Sequence, residues 1–312
     1  MTLETRLADI ARTLRQETER GTVAQYIPEL GAVDPEQFGI AVSDAAGNTV
    51  AAGDADTPFS IQSISKVFTL SLALLRHGDA LWTRVGQEPS GNAFNSIVQL
   101  EAERGIPRNP LINAGAIVIA DTLLGPGGPG ETLRTIQAFT ARAAGLPTIP
   151  IDTRVAASEA RTGARNRSLA QFMAAEKTLH HPVETVLEAY FGHCALAMSC
   201  RTLARAGRYL AFDGASDGAA LIPGDTARQI GALMLTCGHY DGSGAFACRV
   251  GLPGKSGVGG GILALVPGVA SVAVWSPGLG PKGNSLLGMR ALSMLAADEG
   301  WSVFSGLPVD RG

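Results

Sequence analysis

The spacing of hydrophobic positions changes along the chain, and the changes predict where helices and strands lie. Residues 2–20 place apolar residues at helical spacing among many charges, which predicts an amphipathic helix. The stretch FGIAVSDAAGNTVAAGD, residues 38–54, has two short alternating runs around Ala-Ala-Gly-Asn, which predicts a β-hairpin. Residues 63–77 return to helical spacing, and Gly78 is well placed to end that helix.

Helical patterns dominate the middle of the chain, and strand patterns return only near its C-terminal end. From about residue 90 to residue 240, helical segments alternate with glycine and proline, and GPGGPG at 125–130 is expected to be a loop. Residues 259–277 predict a strand, a turn at Pro267-Gly268 and a second strand. A last helix is expected over residues 284–300.

This order of elements predicts an α/β (α+β) fold. Strands from both ends of the chain would form one antiparallel sheet, flanked by terminal helices, with an inserted all-helical lobe. We expect one domain over residues 1–312, with a sheet lobe at about 1–75 and 240–312 and a helical lobe at about 76–239. A cleft between the sheet and the helical lobe is the expected place for a site.

Composition narrows the possible partners and the expected location. Hydrophobic residues make up 46 % and charged residues 17 %, which is typical of a folded chain. The net charge of -3 does not favour nucleic acid or an anionic membrane as a partner. No run of 18 apolar residues is present, and the first 21 residues lack the apolar region of a secretory signal. We therefore expect a cytoplasmic protein without membrane spans.

Cysteine and histidine patterns do not predict a metal or an organic cofactor. The four cysteines, Cys194, Cys200, Cys237 and Cys248, form no C-x-x-C pair, and small buried residues with reduced thiols are expected. No cluster of histidine and cysteine has zinc spacing. The expected cofactor set is therefore none.

The first candidate for chemistry is FSIQSISKVF, residues 59–68, in which Lys66 follows Ser63 by three residues. Residues three apart share one face of a helix, so the lysine could serve as the base that a serine nucleophile needs. Lysine is rare in this chain, with four lysines among 25 basic residues, and no other S-x-x-K occurs. The alternative is chance, because a two-residue pattern occurs on the order of once in a chain of this length at average composition.

A second motif strengthens the first. VGLPGKSGVGGG, residues 250–261, places Lys255-Ser256-Gly257 just before a predicted strand, as K-T-G accompanies S-x-x-K in penicillin-binding proteins and class A β-lactamases. The alternative is a glycine-rich turn. The two motifs predict a serine acyl-transfer site on a β-lactamase-like or penicillin-binding-protein-like fold. Penicillin chemistry is not expected, because S-D-N and an export signal are both missing.

With these motifs in place, the chain resembles the glutaminase family, the serine-dependent enzymes that hydrolyse L-glutamine to L-glutamate and ammonia. The resemblance runs from Tyr26 to the last helix and suggests the compact microbial form without ankyrin repeats. Its motifs occur in family order: YIPEL, FSIQSISKVF, EPSGNAFNS, NPLINAGAI, SEARTGARN, AYFGHCALAMSC, CGHYDGSGAFA and VGLPGKSGVGGGILALVPG.

The resemblance implies a role for each matching residue. Ser63 would be the nucleophile, Lys66 its general base, and Tyr240 a proton relay, with the backbone N–H groups of Ser63 and Val258 forming the oxyanion hole. The substrate-binding set implied by the resemblance is Tyr26, Gln62, Ser63, Asn113, Glu159, Asn166, Tyr190, Tyr240 and Val258. Glu159 would pair with the ammonium of the substrate, whose charge a buried site has to neutralise.

Simpler interpretations of single residues remain open at this point. Asn113 and Asn166 would cap helices starting at Ala114 and Arg167, Tyr190 would be a core aromatic residue, and Glu159 would be a solvated charge. Lys255 would either add positive potential near the serine or only bind loop carbonyls, and it is left out of the predicted catalytic set.

Other functions also remain open. A serine amidase or esterase of the same fold acting on another acyl substrate is one alternative, and a catalytically silent amino-acid-binding or assembly protein is another. L-glutamine is the expected partner, with no nucleic acid and no membrane. A homodimer or homotetramer is implied by the resemblance alone.

Overall fold

Helices and short strands alternate through residues 1–90 and 97–305, the part of the chain described by the computed structural model. The helices are α1 (Leu3–Arg15), α2 (Pro28–Gly31), α3 (Ser65–His77), α4 (Ile97–Ala102), α5 (Asn113–Leu123), α6 (Gly128–Ala144), α7 (Thr153–Thr162), α8 (Ala164–Ala175), α9 (Val183–Cys194), α10 (Cys200–Ala211), α11 (Gly224–Cys237), α12 (Ser243–Arg249) and α13 (Leu286–Glu299). The strands are β1 (Thr22–Val23), β2 (Gly39–Asp44), β3 (Thr49–Gly53), β4 (Phe59–Ser60), β5 (Ala197–Met198), β6 (Ala215–Ser216), β7 (Ala219–Ala220), β8 (Gly254–Ser256), β9 (Gly261–Val266), β10 (Ala270–Trp275) and β11 (Gly278–Leu279).

The longest strands form one antiparallel sheet of five strands in the order β3-β2-β10-β9-β8. Residues of β10 alternate between its two faces. Val272 and Val274 face a core shared with the terminal helices α1 and α13, whereas Ala273 and Trp275 face a core shared with α10 and α3. Both faces of the sheet are therefore covered, which explains why every residue of β9 and β10 is buried and why all but Ser271 are apolar or glycine.

A third core lies among the helices of the middle of the chain. Ile117 on α5, Leu169 on α8 and Leu187 on α9 belong to one buried cluster. Helix α5 is buried along its whole length and packs against α3 as well as α8 and α9. Helix α3 therefore lies between the cores of the sheet and of the helices. The fold is mixed α/β, with one five-stranded antiparallel sheet and many helices.

Most predicted elements are found, and two boundaries differ. The hairpin, the 259–277 strand pair and the last helix are confirmed, but the first helix ends at Arg15 instead of residue 20. Residues after Arg15 bind elsewhere, since Glu17 and Glu19 pair with Arg290 on α13. The predicted loop at 125–130 is also too long. Helix α6 begins at Gly128, because the missing N–H of proline is not needed in a first helical turn.

Two further expectations concern the membrane and the motif EPSGNAFNS. Among the described helices, none has the length and apolar character needed to cross a membrane. Residues 91–96 of the motif lie outside the described residues.

Candidate active site

A cavity of about 270 Å³ opens between the start of α3, the α7–α8 turn and the segment after β8. Eight of the nine predicted substrate-binding residues line it, and Tyr240 is the one that does not. The lining residues are Tyr26, Gln62, Ser63, Asn113, Glu159, Thr162, Gly163, Arg165, Asn166, Tyr190, Cys194 and Val258.

Ser63 lies on a tight turn at the entrance to a buried helix. A 3₁₀ turn, Gln62–Ile64, runs directly into α3, so Ser63 precedes the α-helix instead of lying inside it. Gln62 adopts a left-handed backbone with φ of 50°, which is costly for a residue with a side chain. Its Nε2 donates to Ser60 Oγ at 3.0 Å, and that hydroxyl donates to the Cys194 carbonyl at 3.1 Å. These bonds hold the strained turn beneath the cavity.

Lys66 lies in the first turn of α3 and is almost completely buried, with 1 % of its surface exposed. Its Nζ donates to Asn113 Oδ1 at 2.8 Å and to the Leu111 carbonyl at 3.3 Å. Burial lowers the pKa of Lys66 to about 8, because the charged ammonium loses its hydration. Near neutral pH a useful fraction of this lysine is therefore the free amine, as a general base requires.

Tyr240 approaches Ser63 from the sheet side. Its phenol donates to the Ser256 carbonyl at 3.2 Å, and the nearby Ser63 side chain opposes the effect of burial on the pKa of that phenol. Tyr240 is a second non-glycine residue with a left-handed backbone, at φ of 57°. Burial raises the pKa of the Tyr240 phenol, so it holds its proton at neutral pH. The predicted nucleophile therefore lies beside a second hydroxyl group.

Glycines bring the segment after β8 into contact with the turn that carries Ser63. A Cβ on Gly257 would lie 2.5 Å from the Ile61 carbonyl oxygen and 3.4 Å from Ser63 N. A Cβ on Gly259 would lie 2.4 Å from the Ser60 carbonyl oxygen. Both contacts are with backbone, which has little freedom to move. The glycine-rich run is therefore more than a flexible turn, because close approach to the Ser63 turn requires it.

We expect Gly257→Ala to lower kcat/KM for the protein's substrate by roughly 10²-fold, since a new methyl group would displace the segment from Ser63 and misplace reacting groups. The measurement is steady-state turnover of purified protein. Gly231→Ala on α11 is the control, because a Cβ there meets no atom within 4 Å. Wild-type turnover in Gly257→Ala would contradict the steric argument.

Among the described residues that line the cavity, Glu159 is the only carboxylate, and 6 % of its surface is exposed. Its Oε1 accepts a hydrogen bond of 2.7 Å from Tyr26, whose phenol lies 3.3 Å from Gln62 Oε1. Burial raises the pKa of Glu159, while the hydrogen bonds from Tyr26 and Gln62 oppose that shift. Burial and the nearby carboxylate raise the pKa of the Tyr26 phenol. The interpretation of Glu159 as a solvated charge is wrong.

The two asparagines do not cap helices. Asn113 is the first residue of α5, but its side-chain oxygen accepts from Lys66 and its Nδ2 donates to Asn166 Oδ1 at 3.0 Å. Asn166 lies inside α8, which begins two residues earlier at Ala164. Neither helix has a side-chain N-cap. Asn113 and Asn166 line the cavity instead. Tyr190 is 4 % exposed and packs against Phe191 while lining the cavity, so it is both a core residue and a wall of the site.

Sequence reasoning missed several lining residues. Thr162, Gly163 and Arg165 form the α7–α8 turn, where a Cβ on Gly163 would lie 2.7 Å from the Glu159 carbonyl oxygen. Glu159 on α7 and Arg165 at the start of α8 therefore line the same cavity. Spacing alone does not reveal this, although SEARTGARN contains both residues. Cys194 also lines the cavity, and burial raises the pKa of its thiol to about 12.

The cysteine prediction is right for three of the four residues. Cys194, Cys200 and Cys237 are buried, whereas Cys248 is exposed on the short helix α12. All four are free thiols. Among the described residues, no group of three or more histidine, cysteine, aspartate or glutamate side chains is arranged to hold a metal ion.

Solved structures described as probable glutaminases share this arrangement of sheet and helices. A probable glutaminase of Bacillus subtilis superimposes with a TM-score of 0.90 at 36 % identity, covering 96 % of this chain and 97 % of that one. The Bacillus subtilis probable glutaminase complexed with 6-diazo-5-oxo-L-norleucine superimposes with a TM-score of 0.88 at 35 % identity, covering 97 % of each chain. The class of protein is thus an amidohydrolase.

Sequence relatives identify the family. The glutaminase family model matches residues 21–304. A glutaminase of Azorhizobium caulinodans is 63 % identical over 302 residues, which is 96 % of this chain and 98 % of that one. A glutaminase of Rhodopseudomonas palustris is 60 % identical over 304 residues, or 97 % and 98 % of the two chains. The chain belongs to the glutaminase family, and the reaction is hydrolysis of L-glutamine to L-glutamate and ammonia.

Proposed function

We propose that this glutaminase works by two acyl transfers at Ser63. Lys66 takes the Ser63 proton, and Oγ attacks the side-chain amide carbon of glutamine. Ammonia leaves after receiving a proton through Lys66 and Tyr240. Water, deprotonated by the same groups, then cleaves the γ-glutamyl ester and returns the proton to Ser63. The observation that carries this proposal is Ser63 at a cavity wall, with a buried lysine of lowered pKa one turn along the same chain segment.

The oxyanion of each tetrahedral intermediate is proposed to rest on the backbone N–H groups of Ser63 and Val258. Support comes from the close packing of Gly257 against Ser63 N and from Val258 at the cavity wall. A single preorganised donor of this kind contributes about 2.7–4 kcal/mol of transition-state stabilisation. The segment after β8 is therefore proposed to act through its backbone, which is consistent with the need for glycine at 257 and 259.

The α-amino and α-carboxylate groups of glutamine are proposed to bind at the α7–α8 side of the cavity. Glu159 supplies the negative charge for the ammonium, and Tyr26 and Gln62 complete its surroundings. Asn113, Asn166 and Arg165 offer donors for the carboxylate, and Tyr190 forms the apolar wall between the two ends of the substrate. Pairing both charges offsets the cost of taking a zwitterion out of water.

The proposal is tested by ammonia release and by covalent labelling. Purified protein is assayed with L-glutamine, D-glutamine and L-asparagine, and we expect release from L-glutamine alone. In parallel, the protein is treated with 6-diazo-5-oxo-L-norleucine, which carries a diazoketone where glutamine carries its amide. Peptide mass spectrometry should place the adduct on Ser63. An adduct on any other residue, in an active preparation, would contradict the assignment of the nucleophile.

We expect Glu159→Gln to lower kcat/KM for L-glutamine by roughly 10²-fold or more, because an unpaired buried charge costs about 2–5 kcal/mol. Hydrolysis of a simple activated ester without an amino group should change far less. The measurement compares both substrates in both proteins, with Glu188→Gln, an exposed carboxylate on α9, as the control. Equal losses on the two substrates would argue against ammonium pairing.

The finer points of fold, assembly and location are also proposals. A β-lactamase-like or penicillin-binding-protein-like architecture, with a helical lobe inserted in a sheet lobe at about residues 76–239, is supported by the antiparallel sheet that joins both ends of the chain. A homodimer or homotetramer is supported by the family resemblance. A cytoplasmic location fits four free thiols, three of them buried.

A further inference from the structure

Lys255 is a buried lysine that the reaction above does not use. It lies on β8, one residue before Ser256, and none of its surface is exposed. We infer that Lys255 is a positioning residue that holds the Tyr240 phenol beside Ser63. The inference rests on the proposed function, because it requires Tyr240 to act in proton transfer.

The Lys255 amino group fixes Tyr240 in two ways. Its Nζ lies 4.6 Å from the centroid of the Tyr240 ring, over the face of the ring. It also donates to the Ser256 carbonyl at 2.5 Å, the same oxygen that accepts the Tyr240 hydroxyl at 3.2 Å. The face of the ring and the acceptor of its hydroxyl are therefore both fixed by one side chain.

A third contact ties down the backbone that leads to Tyr240. Lys255 Nζ donates to the Gly238 carbonyl at 3.2 Å, two residues before Tyr240, while Ser256 N donates to the same oxygen at 3.1 Å. Tyr240 then enters its turn in the left-handed conformation, which costs about 1–3 kcal/mol and persists only where surrounding contacts enforce it. The Lys255 amino group bridges this strained turn to β8.

Burying the Lys255 amino group is unfavourable, which indicates that this residue serves the function of the protein more than its stability. Burial and the nearby Lys66 lower the pKa of Lys255 well below its usual range. Among the described residues, no carboxylate lies within ion-pair distance of its Nζ, and its partners are carbonyls and a ring. An apolar side chain of similar length would fill the same space without desolvating an amine. Buried ionisable groups with strongly shifted pKa values are concentrated at functional sites.

The test is a double-mutant cycle between Lys255 and Tyr240. Lys255→Met keeps the length of the side chain and removes its hydrogen-bond donors, and Tyr240→Phe removes the phenol that Lys255 would position. We expect Lys255→Met alone to lower kcat roughly 10–100-fold with KM for L-glutamine changed less than about 3-fold, since it acts through a misplaced group. In the Tyr240→Phe background, the same change should lower kcat less than about 3-fold further.

Lys282→Met is the matched control, because Lys282 also donates to the backbone of this turn, at the Asp241 carbonyl, but is exposed. It should leave kcat unchanged. If Lys255→Met fails to fold by circular dichroism, Lys255→Gln replaces it in the same cycle. Equal kcat losses in both backgrounds, or an unchanged kcat in the single variant, would overturn the inference.

Labelling separates this inference from the proposed function. If only the role of Lys255 is wrong, the diazoketone still labels Ser63 in the wild type and the cycle is additive. If the proposed function is wrong, Ser63 is not labelled in the wild type, whatever the cycle shows.

Discussion

Replacing Ser63 with alanine is expected to lower kcat for L-glutamine by on the order of 10⁴-fold or more, because removal of a catalytic nucleophile leaves only binding and oxyanion stabilisation. Ammonia release is the direct measurement, and labelling by 6-diazo-5-oxo-L-norleucine should disappear with it. The fold should remain, since the serine hydroxyl faces the cavity and its loss leaves no large void.

A matched control for Ser63→Ala lies on α3, the helix that follows the Ser63 turn. Ser71 on α3 is buried, donates to the Val67 carbonyl at 2.9 Å and shares a hydrogen bond of 2.7 Å with the Tyr209 hydroxyl, outside the cavity. Ser71→Ala should cost about 1 kcal/mol of stability and leave turnover intact. Normal turnover in Ser63→Ala would eliminate Ser63 as the nucleophile.

Replacing Lys66 with methionine is expected to reduce turnover by a comparable factor and to remove its pH dependence near pH 8. The base must be neutral, and the buried amine has a pKa of about 8, so kcat/KM of the wild type should rise with pH and level off above that value. A full pH–rate profile of both proteins checks this. A rising limb that survives in Lys66→Met would assign the titration to another group.

The lowered pKa of Lys66 also makes the stability of the folded protein depend on pH. The amine binds fewer protons in the folded protein than in the unfolded chain between pH about 8 and about 10.4, so the free energy of unfolding should rise with pH in that window. Below it, the buried charge costs on the order of 3 kcal/mol. Lys66→Met should therefore be at least as stable as the wild type at pH 7, and thermal unfolding measures this. A loss of activity in the variant would then not be caused by unfolding.

Strands and helices could be predicted from the sequence wherever the spacing of apolar residues defines them. The hairpin over 39–53 and the strand pair over 261–275 have alternating or continuous apolar residues bounded by turn residues, and both were predicted correctly. The boundaries that were wrong depend on distant partners. Residues after Arg15 leave the helix where Glu17 and Glu19 bind Arg290, which is remote in sequence.

The sequence alone determined the family, the reaction and the residues on which a mechanism can be built, because Ser63 and Lys66 are neighbours in one short segment. Only the tertiary structure decided how the rest of the site meets them. Glu159 is buried and accepts a hydrogen bond from Tyr26, which is remote in sequence, and no local pattern reports that contact. The Ser63 turn touches the segment after β8 because Gly257 and Gly259 leave room for its backbone, and such contacts depend on packing in three dimensions.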